Sequence, residues 1–191
     1  TEQMYNLAGV DDEAEEDDEI LEAGKKRVTW LSLNLLTAIV ASFVIGMFSE
    51  TLESMVALAI LMPIVASMGG NAGTQSLTVV VRQLALGDIS QGDAMRIIKK
   101  ELTIALANGV IFATIMGMIA FVWFDMKMLG VVIALSMIIN LLAAGFLGAA
   151  VPLFLKRMDV DPAIGSTVIL TTVTDVVGFL SFLGLATWIL L

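Results

Sequence analysis

Five long apolar segments are the feature of this sequence that most restricts its fold. A helix needs roughly 20 apolar residues to cross the hydrocarbon core of a bilayer, which is about 30 Å thick. The segments that meet this length are residues 28–48, 54–81, 101–124, 128–155 and 163–191. Strands of about ten residues with alternating polar and apolar side chains do not occur, which disfavours a membrane β-barrel. The sequence therefore predicts an all-α, polytopic membrane protein with five transmembrane helices.

Composition supports a membrane protein and excludes several kinds of chemistry. Of the 191 residues, 58% are hydrophobic and 15% are charged, whereas soluble domains average about 45–50% and about 25%. The chain contains no Cys and no His. Disulfides, Cys/His zinc sites, thiol nucleophiles and Ser-His-Asp triads are therefore excluded. We expect this chain not to be an enzyme.

The distribution of Lys and Arg predicts how the chain is oriented. The chain has 10 basic residues, and with five crossings all of them except Lys127 fall on the same side of the membrane. Basic loops remain in the cytosol, which predicts a cytosolic N-terminus, an external C-terminus and a location in the cell membrane. The basic loop between the second and third helices, about 82–100, is also expected to contain a short amphipathic surface helix from Gln91 onward.

Acidic residues are concentrated ahead of the first helix. Residues 11–22 (DDEAEEDDEILE) hold nine acidic residues and no basic one, and a run of like charges is usually solvated. We expect residues 1–24 to be an acidic cytosolic segment, a tail or the end of a connector, and residues 25–191 to form the transmembrane domain. The chain starts with Thr1 instead of Met, which is compatible with a fragment that lacks soluble parts upstream.

Asp175 is the only acidic residue well inside an apolar segment. An ionised carboxylate at the bilayer centre costs about 2.5–3.5 kcal/mol on insertion scales, and no Lys, Arg or His lies deep in a predicted helix to pair with it. At 100° per residue, Thr167, Thr171, Thr172, Asp175 and Gly178 lie within an arc of about 140°. One interpretation is a neutral Asp bonded to a neighbouring helix. The stripe of hydroxyls favours the other, a carboxylate beside an aqueous cation path.

The second apolar segment contains polar residues at the depth of the membrane interior. After Pro63, residues 67–78 (SMGGNAGTQSLT) include three glycines, an Asn, a Gln and several hydroxyls. Pro63 and the glycines predict a kinked and loosened helix with exposed carbonyl oxygens. Packing is the alternative, because Gly69 and Gly73 form a GxxxG pair. Packing explains the glycines but not the polar density, so we expect a pore or binding site here.

The candidate ligands are all hard oxygen donors, which suit Mg²⁺, Ca²⁺, Mn²⁺ or alkali cations. One carboxylate per chain is too little for a dehydrated Ca²⁺ cage. It is enough for Mg²⁺, which keeps most of its water and is usually held by one or two carboxylates. We therefore expect Asp175 to hold a hydrated divalent cation, chiefly Mg²⁺. The isolated Asn34, Asn108 and Asn140 are expected to form hydrogen bonds between helices.

Several of these residues together resemble the membrane domain of the MgtE family of magnesium channels and transporters. The resemblance rests on Pro63, the run GGNAGTQS at 69–76, Arg82, LALGDI at 84–89, VDPA at 160–163 and the late Asp175. It implies a homodimer of five-helix protomers with a pore at the dimer axis, lined by the second and fifth helices. Members commonly carry a cytosolic N-terminal domain and paired CBS domains that sense Mg²⁺, whereas only residues 1–24 precede the first helix here.

The resemblance also implies which residues hold the ion. Asp175 would bind a largely hydrated Mg²⁺, which is both the bound and the transported ion. Backbone oxygens near Ser67, Gly70 and Thr171 would help to hold it. Asn71 and Thr74 would lie on the same path.

We therefore predict a passive, selective Mg²⁺ channel driven by the membrane potential, with lipid and a second copy of the chain as partners and no nucleic acid. A carrier that couples Mg²⁺ to Na⁺ or H⁺ and a structural membrane subunit remain alternatives. An intramembrane aspartyl protease needs two carboxylates that share a proton, and each chain supplies one. We also hypothesise that the acidic tract at 11–22 binds Mg²⁺ weakly and reports its concentration.

Overall fold

A computed structural model of the chain describes residues 20–87, 92–162 and 166–191. Within these residues the chain forms six α-helices and no strand. They are α1 (Ile20–Gly46), α2 (Ser49–Ser54), α3 (Val56–Ala85), α4 (Ala94–Phe124), α5 (Lys127–Arg157) and α6 (Ser166–Leu190). By length and composition, all of them except the short α2 can cross a membrane, α1 through its residues Arg27–Gly46. The predicted all-α architecture with five spanning helices is confirmed.

The helix bounds differ from the prediction where a helix continues past its apolar part. α4 begins at Ala94, ahead of the predicted start near residue 101. The expected separate surface helix from Gln91 is wrong, because the described residues from Ala94 onward belong to α4; Gln91 itself lies outside the described residues. The first turns of α4 contain charged residues and lack the apolar pattern that defines a membrane span. The start predicted for this helix from hydropathy is therefore too late. Residues 11–19 of the acidic tract lie outside the described residues.

α3 remains a continuous α-helix from Val56 to Ala85, although it contains Pro63 and three glycines. The expectation that the glycines loosen this helix is therefore wrong. An unsatisfied backbone group in the hydrocarbon region costs several kcal/mol, which favours an intact helix. Instead of unwinding, Gly69 and Gly73 are buried against neighbouring helices, as the GxxxG interpretation predicted.

α5 is the central helix of the protomer, and α3, α4 and α6 all pack against it. Glycines allow the closest approaches. A Cβ on Gly130 of α5 would lie 2.6 Å from the carbonyl oxygen of Gly117 in α4. A Cβ on Gly148 of α5 would lie 2.8 Å from the carbonyl oxygen of Gly73 in α3. Lipid gives apolar helices no hydrophobic reason to associate, so close van der Waals packing of this kind holds the bundle together.

α3 and α6 also pack directly against each other, and α1 packs against α6. The side chain of Leu170 in α6 occupies the space where Gly73 of α3 lacks a Cβ. At one end of the bundle, Thr51 Oγ1 of α2 and Thr187 Oγ1 of α6 share a hydrogen bond of 2.8 Å. The two helices that carry the predicted site residues are therefore neighbours.

Candidate functional site

One face of α3 carries a polar stripe on the surface of the protomer. Ser67, Asn71, Thr74, Thr78 and Arg82 are all exposed. Their spacing of three or four residues places them on the same face of the helix. We call these five residues the polar stripe. It contains three of the predicted ligand positions, and it lies on the opposite side of α3 from the packed glycines.

Side chains of the stripe donate hydrogens to neighbouring groups of the same helix, and their oxygens remain on the exposed face as hydrogen-bond acceptors. Thr74 Oγ1 donates to the carbonyl oxygen of Gly70 at 2.8 Å, and Thr78 Oγ1 donates to that of Thr74 at 2.8 Å. Asn71 Nδ2 donates to Ser67 Oγ at 3.2 Å. A threonine hydroxyl that donates backward along its helix still has lone pairs to accept from water. The exposed face therefore favours water molecules that present their hydrogens, as those around a cation do.

Gly70 differs from the other glycines of α3 because it has open space beside it. A Cβ built on Gly70 would have no neighbour within 4 Å among the residues that the structure describes. Its carbonyl oxygen, the expected ligand, accepts the Thr74 hydroxyl. Because the Gly70 carbonyl oxygen already accepts this hydrogen bond, the Thr74 hydroxyl oxygen is the more available acceptor in this turn of the helix.

Asp175 lies in the middle of α6 and is half-buried. No hydrogen bond or ion pair joins its carboxylate to another residue that the structure describes. Thr171, one turn earlier, is exposed. Thr172 is half-buried and donates to the carbonyl oxygen of Val168 at 2.6 Å. An unpaired carboxylate next to an exposed threonine therefore forms the polar part of α6.

The hydroxyl stripe predicted on α6 is narrower than expected. Of its five predicted members only Thr171 is exposed, whereas Gly178 is buried and the others are half-buried. Gly178 is covered because α6 packs there against Asn140 of α5. Because packing covers most of this stripe on α6, the exposed polar surface of the protomer belongs mainly to α3.

The six predicted ligand positions lie on two adjoining helices. Four of them belong to α3 (Ser67, Gly70, Asn71, Thr74) and two to α6 (Thr171, Asp175). Among the described residues, no three His, Cys, Asp or Glu side chains come together to form a metal cage. One protomer thus supplies a single carboxylate and a row of neutral oxygens.

A buried Asn joins three helices behind the site. Asn140 of α5 is completely buried, and its Nδ2 donates to the carbonyl oxygen of Val65 in α3 at 2.9 Å. Its side chain fills the space beside Gly69 of α3 and Gly178 of α6, where a Cβ would approach Nδ2 to 2.2 Å and 2.7 Å. The interhelical hydrogen bond expected of Asn140 is confirmed.

The other two intramembrane Asn residues do not behave like Asn140. Neither Asn34 nor Asn108 forms a side-chain hydrogen bond to another helix within the described parts of the chain. Asn34 is exposed on α1, and Asn108 lines a crevice between α3 and α4. For these two residues the described part of one protomer does not confirm the prediction. The sequence marks all three Asn equally, and only the glycines packed around Asn140 distinguish it.

Comparison with known proteins places these features in a family. The MgtE family model, described as a divalent cation transporter, matches residues 62–185, which include every predicted ligand position. The chain is 33% identical over 165 residues to the magnesium transporter MgtE of Bacillus subtilis, covering 86% of this chain and 37% of that protein. It is 34% identical over 160 residues to the magnesium transporter MgtE of Thermus thermophilus, covering 84% and 35%.

A third relative, the magnesium transporter MgtE of Enterococcus faecalis, is 31% identical over 180 residues, covering 94% of this chain and 40% of that protein. The chain thus spans a little over a third of the length of the curated relatives it matches. The match covers most of the five-helix domain, including its polar stripe and Asp175. This chain belongs to the MgtE family of divalent cation transporters.

Proposed function

We propose that this chain forms the pore of a Mg²⁺ channel, which admits Mg²⁺ passively into the cell and is built by two copies of the chain. Residues 25–191 form the pore domain, and residues 1–24 are a cytosolic segment ahead of it. The N-terminus is cytosolic and the C-terminus external, as the distribution of basic residues predicts. The names of the relatives, magnesium transporters, support Mg²⁺ as the cargo.

The exposed polar stripe is the observation that carries this proposal. It occupies the middle and the second half of α3, a helix long and apolar enough to cross the membrane. Polar side chains at that depth almost always face the bundle interior or a water-filled cavity instead of lipid. Within one protomer the stripe is exposed. A second copy of the chain would enclose it, and a twofold axis would bring two such stripes together around one path.

The chemistry of this path suits a hydrated Mg²⁺. Asn71 and Thr74 present side-chain acceptor oxygens to the ion's water shell. The backbone oxygens near Ser67, Gly70 and Thr171 are weaker acceptors in this proposal, because the helices already engage them in hydrogen bonds. Two Asp175 carboxylates that approach across a twofold axis would repel each other, and a divalent cation between them would relieve that repulsion. Mg²⁺ sheds water reluctantly and is usually held through one or two carboxylates, which fits this set.

The membrane potential is sufficient to drive uptake. One elementary charge gains about 2.3 kcal/mol per 100 mV, so a divalent cation gains about 4.6 kcal/mol on entering the cell. At about 1.4 kcal/mol per tenfold change, this energy supports an accumulation of more than a thousandfold. No pump and no coupled ion is needed.

Replacing Asp175 with Asn tests the central role of the carboxylate. We expect Mg²⁺ flux into liposomes that contain the purified chain to fall at least about tenfold, because the variant loses the only negative charge among the proposed ligands. Asp125→Asn is the matched control. It removes one charge from an exposed residue with a left-handed backbone (φ 54°), a conformation that Asn adopts readily. Unchanged flux in Asp175→Asn would refute the proposal, provided that both variants remain folded.

The driving force separates a channel from a coupled carrier. Flux through a channel should follow an imposed potassium diffusion potential and should not respond to Na⁺ or pH gradients at fixed voltage. Flux that requires either gradient would establish the carrier alternative instead. A structural subunit would show no flux above that of empty liposomes.

A further inference from the structure

Glu101 is a buried carboxylate that the proposed Mg²⁺ path does not use. It lies in the third turn of α4 and is only 6% exposed. No hydrogen bond or ion pair links it to another described residue. The neighbouring Lys99 and Lys100 are exposed and do not pair with it. Glu101 is the first residue of the apolar segment 101–124 and directly follows these lysines in the sequence, whereas the structure places it inside the bundle.

Glu101 lines a polar crevice between α3 and α4. The two helices both pack on α5, and the crevice between them has a volume of about 170 Å³. Its polar lining consists of Gln75 and Ser76 from α3 together with Glu101 and Asn108 from α4. The other residues that the structure describes along its lining are apolar or Gly, and none of them is basic. One water molecule needs roughly 10–15 Å³ of such space, so the crevice has room for an ion with several waters.

We propose that this crevice is a second cation site and that it binds a monovalent cation such as Na⁺. A buried carboxylate needs a partner of opposite charge, because leaving it unpaired in a low-dielectric environment is costly. The described lining of the crevice contains no basic side chain, but it supplies oxygen ligands of the kind that hard cations prefer: a carboxylate, two side-chain amides and a hydroxyl.

The charge of the crevice selects the class of cation. Among the described residues, Glu101 is the only charged one that lines the crevice, so a monovalent cation makes the occupied site neutral. A divalent cation would leave an excess positive charge among apolar side chains, which is unfavourable in a medium of low dielectric constant. The Asp175 path differs in this respect, because two protomers would bring two carboxylates to one ion there.

The crevice and the polar stripe lie on different faces of the same part of α3. Thr74 belongs to the stripe, and the next two residues, Gln75 and Ser76, line the crevice. Binding in the crevice is therefore a property separate from conduction along the stripe. The proposal does not depend on the Mg²⁺ channel, and it can be tested by binding alone.

The test measures thermal unfolding of the purified chain in detergent as Na⁺ replaces choline at constant ionic strength. A cation that binds only the folded state raises the unfolding midpoint progressively once its concentration exceeds the Kd. We expect this rise in the wild type and in Glu53→Gln, which neutralises an exposed carboxylate elsewhere. We expect Glu101→Gln to lose it, because the variant keeps the shape of the side chain and removes the charge.

Two milder variants keep the test decisive if Glu101→Gln does not fold. Gln75→Ala and Asn108→Ala each remove one amide ligand and retain the carboxylate. Each should raise the Na⁺ concentration for half of the shift about tenfold, which corresponds to a ligand worth about 1.4 kcal/mol. A similar loss of Na⁺ affinity in both variants supports the site, and unchanged affinity in both refutes it.

Three further results would overturn the proposal. The first is a wild-type midpoint that responds equally to Na⁺ and choline. The second is a Glu101-dependent shift that Mg²⁺ produces and Na⁺ does not, because this would contradict the charge argument. The third is a midpoint that changes with pH through Glu101 but is independent of Na⁺, because the crevice would then bind a proton instead of a metal cation.

Discussion

Replacing Gly69 with Ala is the sharpest test of how the bundle holds α3 in place. A Cβ at this position would lie 2.2 Å from Asn140 Nδ2 and 2.7 Å from its Cγ, so the Asn140 side chain must move. It cannot move far, because Gly178 of α6 lies against its other side and the amide is completely buried. The displaced amide would also lose its hydrogen bond to the carbonyl oxygen of Val65.

The expected cost follows from these two effects. An extra methyl group forced into a well-packed interior costs about 1–3 kcal/mol, and a buried hydrogen bond that is broken without replacement costs about 1–3 kcal/mol. The change from Gly to Ala returns about 1 kcal/mol through helix propensity. We therefore expect Gly69→Ala to lower the free energy of unfolding by about 1–5 kcal/mol.

Gly70→Ala is the matched control for this substitution. It introduces the same methyl group at the next position of the same helix, where a Cβ meets nothing within 4 Å. We expect its stability to equal or slightly exceed that of the wild type. Denaturation of the purified chain in mixed detergent micelles, followed by the fluorescence of its three Trp residues, compares the variants under identical conditions.

A double-mutant cycle assigns the cost to Asn140. Asn140→Ala removes the group that the new methyl meets, so Gly69→Ala should cost much less in that background. The coupling energy should then exceed about 1 kcal/mol, within the range measured for residues in contact. The packing argument fails if Gly69→Ala is as stable as Gly70→Ala, or if its cost is the same with and without the Asn140 side chain.

Two further predictions concern the end of the bundle and the polar stripe. Thr51→Val should lower the free energy of unfolding by about 0.5–1.5 kcal/mol, because it removes the hydrogen bond to Thr187 Oγ1. The same denaturation assay measures this loss, and an equal loss in a Thr187→Ala background would contradict the contact. The chain has no native Cys, so a single introduced Cys reports its own exposure to water. In liposomes, Thr74→Cys should react with a charged, membrane-impermeant thiol reagent, whereas Val110→Cys on an exposed apolar face of α4 should not. Equal labelling of the two variants would show that the stripe does not face water.

The number of spans and the isolated carboxylate could be predicted from the sequence because both follow from local properties. Bilayer thickness fixes the length of an apolar segment, and the cost of a charge in lipid makes Asp175 conspicuous in any such segment. The start of α4 could not be predicted in this way. The helix continues through Arg96 and Lys99 beyond its apolar part, and hydropathy records where a helix leaves lipid, not where it ends.

The surroundings of each polar residue could not be predicted because they depend on helix packing. Asn140 differs from Asn34 and Asn108 only because glycines of two other helices lie against it. Glu101 stands at the start of the apolar segment 101–124, directly after two lysines, and its burial results from the packing of α3 and α4 on α5. Sequence alone identifies polar residues in apolar helices, whereas their partners depend on contacts between distant parts of the chain.

The two interpretations of the glycine-rich stretch in α3, packing and a polar path, apply to opposite faces of the same helix. At 100° per residue, Gly69 and Gly73 lie about 40° apart, and Asn71 and Thr74 lie on the opposite side of the helix. If this stretch unwound to expose its carbonyl oxygens, Gly69 would separate from Asn140, and the hydrogen bond from Asn140 Nδ2 to the carbonyl oxygen of Val65 would be lost. The packed glycine face thus favours a continuous helix, and a continuous helix offers a cation its side-chain oxygens more readily than its carbonyl oxygens. Selectivity along this face should therefore respond more strongly to Asn71 and Thr74 than to the backbone of Gly70.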